Sequence, residues 1–205
     1  MSRQTASMAA LILSHDMLSA LELLQQRHSA PSRQLGEPAP DDATLRTLLE
    51  AAIRVPDHGK LEPFRLVLLR GDAKLRFGER LAEIAIRRNP DLPESKREKE
   101  RLRYTFAPLV VMVISQVHHE STVPAIEQQF AASCVAHNLL LGTYALGYGA
   151  QWLTGWAAYD REAAALIGLK DNEQVIGFVH IGTPDIDIPD RDRPVLDTLV
   201  STWTP

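Results

Sequence analysis

The sequence predicts one three-layer domain of the α+β or α/β class, with a central sheet between helices. Helix-like segments alternate with about four short strand-like segments along the 205 residues, an order that is typical of layered folds. No internal repeat is visible and no linker divides the chain into two hydrophobic parts. Since 45% of the residues are hydrophobic, a chain of this length can bury a substantial core. We expect one domain over residues 17–205 and a flexible N-terminal extension over residues 1–16.

The first third of the chain predicts two helices and one strand. Leucines recur at helical spacing over residues 17–26. After a Pro-rich loop, Asp41 and Asp42 are candidate N-caps for a second helix, which Pro56 ends. The run FRLVLL, residues 64–69, has the β-branched and apolar composition of a strand.

A helix and a highly charged segment are predicted next. Residues 72–88 place apolar side chains at the spacing of one helix face. Residues 89–104 contain prolines and many charges but few apolar side chains. We therefore expect this charged segment to be a mobile excursion or lid.

The C-terminal half begins with the continuous apolar run of residues 109–117, which predicts a strand buried on both faces. Further elements are predicted, in order, as a long helix (124–146), a strand (150–154), a helix (160–167) and a strand (174–181). The tail from Thr183 is rich in proline and polar residues, so we expect no packed element over most of it.

Charge and composition exclude several classes of partner. The 22 Lys and Arg residues against 26 Asp and Glu give a net charge of -4, which offers nucleic acid no broad basic surface. The longest apolar run, residues 131–150, is interrupted by His137 and Asn138 and predicts a buried helix, not a membrane span. Cys134 is the single cysteine and cannot form an internal disulfide, which favours a reducing, cytoplasmic location.

The common catalytic and phosphate-binding motifs are missing. No G-x-x-x-x-G-K-[ST] loop or G-x-S-x-G elbow occurs, and GYGAQW at 147–152 holds only the first two glycines of a dinucleotide fingerprint. His118, His119 and Glu120 lack the spacing of a metal site. We therefore expect neither a catalytic side chain nor a metal centre.

Basic and hydroxyl side chains in two short segments remain as candidates for binding an anion. Arg27 and Ser29 follow the first predicted helix, and Arg54 and His58 flank a Pro-Asp turn before the first strand. A guanidinium matches a phosphate in a bidentate way. Taken alone, each residue is better explained as a solvated charge or as a turn histidine.

Together with other short segments, these residues resemble the compact subgroup of the FMN-dependent nitroreductase family. The matching segments, in order, are ALELLQQRHS (20–29), EPAP (37–40), RVPDHGKLEPF (54–64), APLVV (107–111), EQQFAASC (127–134), GYGAQWLTG (147–155) and IGFVHIGTP (176–184). No one segment is decisive, but their order and spacing cover about residues 17–184.

The resemblance implies an α+β domain with a central mixed sheet of about four to five strands flanked by helices. It also implies a homodimer of the domain-swapped type, with the long helix at the interface. Two FMN molecules would lie in clefts made by both subunits, and NAD(P)H would serve as co-substrate.

The resemblance assigns the following residues to the site. Arg27, His28 and Ser29 would hold the flavin phosphate and ribityl chain, and Arg193 would also contact the phosphate. Arg54 and His58 would reach the flavin from the partner subunit. The flavin ring would lie along Trp152, Leu153 and Thr154, and the nicotinamide nucleotide along Gly142, Thr143, Tyr144, Ala145, Leu146 and Gly147, which a buried-helix reading explains equally well.

The implied activity is reduction of nitroaromatic, quinone or related acceptors by alternating hydride transfer. Hydride transfer needs ring stacking in a dry cleft and no protein nucleophile, in agreement with the missing motifs. Leu153 and Glu62 depart from the arginine and glutamine that are usual in the family. A non-catalytic flavin-binding protein, for storage or sensing, is one alternative, and a flavin-free interaction module is another.

Overall fold

The computed structural model describes residues 20–205, so the extension predicted at residues 1–16 and the start of the first predicted helix lie outside the described residues. We label the elements in chain order. The helices are α1 (Ala20–Gln26), α2 (Asp42–Ala52), α3 (Asp72–Arg88), α4 (Glu94–Leu102), α5 (Ala125–Ala145) and α6 (Arg161–Ile167). The strands are β1 (Leu35–Gly36), β2 (Phe64–Arg70), β3 (Leu109–Gln116), β4 (Gly149–Leu153) and β5 (Glu173–Pro184).

The five strands form one antiparallel sheet in the described residues. Strand β5 pairs with β3, with β4 and, at its C-terminal end, with β1, while β2 pairs with the other side of β3. The α+β class and the five strands are confirmed. The expectation of a mixed sheet is wrong for this chain, since each of these pairings is antiparallel.

The connection between β2 and β3 explains the antiparallel direction. Arg70, the last residue of β2, lies opposite Leu109, the first residue of β3. Helices α3 and α4 lie between these two residues in the chain and return it to the end of the sheet that it left. A parallel pair would need a crossover to the opposite end.

The central strand β3 separates two hydrophobic clusters. Leu109, Val111 and Val113 pack with residues of α2 and α5 on one face of the sheet. Val110 and Met112 pack with residues of α3 and α6 on the other face. The predicted strand buried on both faces is therefore confirmed, and the domain has three layers.

The charged segment 89–104 contains a packed helix, α4, in place of the expected lid. Gly78 of α3 makes the close approach possible, because a Cβ there would lie 2.0 Å from the Arg101 carbonyl oxygen. The charges of α4 also pair with one another at i,i+3 spacing, as in the Arg101–Glu98 contact of 2.7 Å. The sequence suggested mobility because the segment has few apolar side chains. Few are needed here, because the backbone of α4 packs directly on α3 at Gly78.

We expect Gly78→Ala to destabilise the protein by about 1–3 kcal/mol, because the new methyl group must displace a backbone carbonyl. Alanine normally stabilises a helix interior relative to glycine, so the sign of the effect tests the packing. Urea denaturation measures it. The matched control is Gly142→Ala, where the methyl group would meet only the tip of the Leu48 side chain, at 2.6 Å, and we expect a smaller loss. Equal stabilisation in both variants would contradict the close approach.

The chain after β5 is mostly exposed up to Pro205, as the sequence predicts. Ile188 is an exception, since it packs against a small cluster of Ala30, Leu35 and Ala107. Among residues 20–205, no helix combines the length and the apolar character needed to cross a bilayer.

Candidate functional site

Three arginines from the two ends of the chain meet just beyond α1. Arg193 donates a hydrogen bond to the carbonyl oxygen of Arg27 at 3.1 Å and forms an ion pair with Asp190. The Arg27 guanidinium lies 3.5 Å from the Ser29 hydroxyl. Arg191 is close enough to act electrostatically on Arg27. The structure therefore brings together Arg27, Ser29 and Arg193, as the resemblance implies.

The charge of this cluster is unbalanced. Partial burial lowers the pKa of Arg27, and repulsion from Arg193 and then Arg191 lowers it further, while Asp190 acts in the opposite direction. A site that crowds guanidinium groups in this way is stabilised when an anion binds, since an opposite charge offsets their repulsion. The arrangement suits a phosphate group.

Backbone contacts hold the segment after Arg27 against β4. The amide of Ala30 donates to the carbonyl of Ala150 at 3.0 Å, and the amide of Ser32 donates to the Gln151 side chain at 2.7 Å. His28 packs edge-on against Tyr144 of α5, with ring centroids 5.5 Å apart. The segment that follows Arg27 is thus fixed beside β4 and the end of α5.

Strand β4 leads from this cluster to the segment predicted to run past the flavin ring. The Trp152 indole donates to the Ile176 carbonyl at 3.2 Å and lies over Gly177, where a Cβ would be 1.9 Å from the indole nitrogen. Trp152, Leu153 and Thr154 are half-buried. Because Gly177 has no side chain, the indole can lie flat on β5 and holds this segment in place.

Arg54 and His58 follow α2 and expose their side chains to solvent. Asn138 of α5 donates to the Arg54 carbonyl at 3.1 Å. The His58 ring lies 2.7 Å from the Glu127 carboxylate, in the first turn of α5. Both residues are therefore attached to α5.

Within one chain, His58 and the arginine cluster lie near opposite ends of α5, and Arg54 lies between them, beside Asn138. His58 contacts Glu127 in the first turn, and His28 contacts Tyr144 in the last turn. At 1.5 Å per residue, these positions are about 25 Å apart along the helix axis. His58 therefore does not reach the arginine cluster of Arg27, Arg191 and Arg193 in its own chain.

The segment predicted to contact the nucleotide is divided between core and surface. Gly142 packs against Leu48, and Thr143 is buried. Tyr144 is half-buried, whereas Ala145, the last residue of α5, and the following Leu146 and Gly147 are exposed. These exposed residues present the most surface to a ligand, because Gly142 and Thr143 pack against the core.

Sequence reasoning did not identify Asp190 and Arg191 as neighbours of the site. The run DRDRP, residues 190–194, carries their signal, but only Arg193 was selected from it. The contact of Glu127 with His58 also joins residues far apart in the sequence. No group of three metal-ligating side chains occurs in the part of the chain that the structure describes.

A family model described as Nitroreductase family matches residues 24–183. The chain belongs to the nitroreductase family. Its curated relatives include the "Putative NAD(P)H nitroreductase YdjA" of Escherichia coli (strain K12), with 30% identity over 84% of this chain and 96% of the relative. A "Putative NAD(P)H nitroreductase" of Haemophilus influenzae is 31% identical over 88% of this chain and 96% of its own length.

Solved structures of nitroreductases share the fold of this family member. A nitroreductase-like protein from Bacillus cereus superposes with a TM-score of 0.76 at 20% identity, covering 91% of this chain and 96% of that one. A protein from Desulfovibrio desulfuricans described as a "putative nitroreductase in complex with fmn" gives a TM-score of 0.69 at 20% identity over 90% and 97% of the two chains.

Proposed function

We propose that this nitroreductase-family protein binds FMN and uses NAD(P)H to reduce nitroaromatic, quinone or related electron-poor acceptors. The arginine cluster of Arg27, Arg191 and Arg193 is the observation that carries the proposal, because it suits the phosphate of FMN. The relatives named as NAD(P)H nitroreductases and the FMN complex of a structural neighbour support it.

In this proposal the protein binds, orients and shields the reactants. FMN, when bound, supplies the ring that accepts and then passes on the hydride. Arg27, Ser29 and Arg193 hold the phosphate end, and the fixed backbone of β4 directs Trp152 to Thr154 along the ring. None of the proposed site residues acts as a nucleophile or a general acid, since hydride transfer depends mainly on close stacking in a dry cleft.

We also propose that the protein is a homodimer with α5 at its interface. Side chains spaced three or four residues apart form an outer stripe on the face of α5 that points away from the sheet. Two of them, Ile126 and Phe130, are 52% and 57% exposed. Large apolar side chains that lie exposed on the outward face of a helix often mark a surface that a partner covers. The remaining positions of this outer stripe are Cys134, His137 and Leu141.

The C-terminal tail and the free edge of β2 agree with an exchange of segments between two copies. The tail exposes several large apolar side chains, namely Val195, Leu196, Leu199, Val200 and Trp203. Strand β2 pairs on one side only within the described residues, and its Leu68 is 38% exposed. Such surfaces are usually covered by a partner.

A dimer would also complete the flavin site. If two α5 helices pack antiparallel, the first turn of one lies beside the last turn of the other. His58, which contacts the first turn of α5, would then approach the arginine cluster of the other subunit. The separation of about 25 Å within one chain becomes an expected feature of a shared site.

The proposed location is the cytoplasm. Cys134 is the single cysteine of the sequence and is half-buried on α5. A chain without internal disulfides is suited to a reducing compartment.

The arginine cluster is tested by Arg27→Ala, which we expect to weaken FMN binding by about 10- to 100-fold, because a charge-assisted hydrogen bond contributes about 1.5–3 kcal/mol. Fluorescence titration with FMN measures the dissociation constant. The matched control is Arg46→Ala, since Arg46 is an exposed arginine of α2 that pairs with Glu50. Unchanged FMN affinity in Arg27→Ala, or failure of the unmodified protein to bind FMN, would refute the proposal.

A non-catalytic flavin-binding role is the second candidate, and Leu153 is the observation that favours it. Its side chain provides no donor at the end of β4, where the family resemblance leads us to expect an arginine. A storage or sensing protein would bind FMN but would be reduced by NAD(P)H no faster than free FMN. Anaerobic stopped-flow reduction separates the two functions, because bleaching of bound FMN within seconds indicates an oxidoreductase.

A further inference from the structure

The loop that carries His58 is held in an unusual backbone conformation. Gly59, Lys60 and Glu62 have φ values of 78°, 54° and 49°. Positive φ is uncommon for residues with side chains and strains the backbone at each such residue. Two such residues, Lys60 and Glu62, in one short loop therefore require compensating contacts.

Asp57 provides those contacts. Its carboxylate accepts hydrogen bonds from the amides of Leu61 and Glu62 at 3.1 and 2.8 Å. Its carbonyl oxygen accepts a third, from the amide of Lys60 at 3.1 Å. One residue thus satisfies three successive amides and stabilises the loop in its strained form.

Glu127 fixes the ring of His58 from outside the loop. The Nδ1 atom of His58 lies 2.7 Å from the Glu127 carboxylate, and the two side chains are 67% and 42% exposed. An exposed pair of this kind adds little to the stability of one chain. The effect of the pair is instead to fix the orientation of the His58 ring, which would otherwise rotate freely in solvent.

We infer that Asp57 and Glu127 are positioning residues that hold His58 ready to meet the FMN bound by the partner subunit. The inference rests on the proposed function, in which His58 reaches that flavin. Asp57 stabilises the backbone conformation of the loop, and Glu127 fixes the orientation of the His58 ring. Ordering both before the flavin binds avoids the entropic cost of immobilising them on binding.

The test uses Glu127→Gln, which leaves the loop backbone intact. We expect FMN binding to weaken by about 2- to 10-fold. We also expect the flavin midpoint potential to fall, because a donor near the ring stabilises the reduced, negatively charged flavin. Glu50→Gln is the matched control, since it also breaks an exposed Glu–basic pair, with Arg46. Asp57→Asn should act in the same direction, with a lower melting temperature.

A double-mutant cycle with His58→Ala shows whether Glu127 acts through His58. In the His58→Ala background, Glu127→Gln should cause no further change in FMN affinity or potential. A persisting effect would overturn the inference, as would a Glu127→Gln protein that matches Glu50→Gln in both measurements. If the unmodified protein binds no FMN, the proposed function fails first. A normal FMN complex with insensitive variants refutes the positioning role alone.

Discussion

Replacing His180 by leucine is expected to remove most of the stability loss that the unmodified protein shows between pH 6.5 and 4.5. His180 lies in the middle of β5 and is fully buried. Neither ring nitrogen has a hydrogen-bond partner, and the ring stacks on Tyr104 with centroids 5.9 Å apart. The histidine is therefore surrounded by groups that cannot stabilise its charged form.

The direction of the pH effect follows from the pKa. Burial, together with the positive charges of Lys74 and Arg103, lowers the pKa of His180 to about 4. An unfolded chain binds this proton near pH 6.5, so between pH 6.5 and 4 the unfolded state holds more protons than the folded state. The contribution of His180 to the free energy of unfolding is fully present above pH 6.5. It is lost as the pH is lowered, by about 3 kcal/mol in total.

Urea denaturation at several pH values between 7.5 and 4 measures the effect. Paired carboxylates contribute only at lower pH: Arg65, by its hydrogen bonds to Glu173, lowers the pKa of this carboxyl below its usual 4.5. The free energy of unfolding of the His180→Leu protein should therefore stay constant down to about pH 4.5 and then decline. His119→Leu, at an exposed histidine, is the matched control and should keep the full slope. A His180→Leu protein with an unchanged slope would show that another group is responsible.

The sequence predicted those elements whose pattern depends on nearby residues. Strand β3 was predicted because its residues are apolar at every position up to Ser115, and α5 because a long apolar run ends at glycines. Strand β1 was missed because only two residues pair through their backbones. The antiparallel direction of the sheet was missed because it depends on how far α3 and α4 carry the chain before it returns.

The positions of the proposed site residues relative to one another were also predictable only in part. The resemblance selected Arg27 and Arg193, and the structure places them in contact although they are far apart in the chain. The distance between Arg27 and His58 could not be predicted, because it depends on the length of α5 and on which turn each residue contacts. The strained backbone of Lys60 likewise has no signal in the sequence, since it depends on contacts made by Asp57.

Phe130→Asp is expected to separate the proposed dimer and to abolish tight FMN binding in one step. Phe130 is 57% exposed in the outer stripe of α5, so the change should affect the stability of a single chain by no more than about 0.5 kcal/mol. At an interface, an unpaired carboxylate taken out of water costs about 3–5 kcal/mol. Light scattering should show a fall from twice the chain mass to 22.8 kDa.

Loss of FMN in the same variant would link the interface to the flavin site. Phe130 is remote from the arginine cluster, which lies at the other end of α5, so the substitution cannot remove a phosphate contact within the chain. It can remove Arg54 and His58 of the second copy. We expect FMN affinity to fall by at least about 100-fold, because two donors and the cover of the cleft are lost together. Tyr159→Asp, at an aromatic residue that is 66% exposed elsewhere on the surface, is the matched control. A monomeric Phe130→Asp protein that still binds FMN tightly would place the whole flavin site in one chain, and a dimeric one would exclude α5 as the interface.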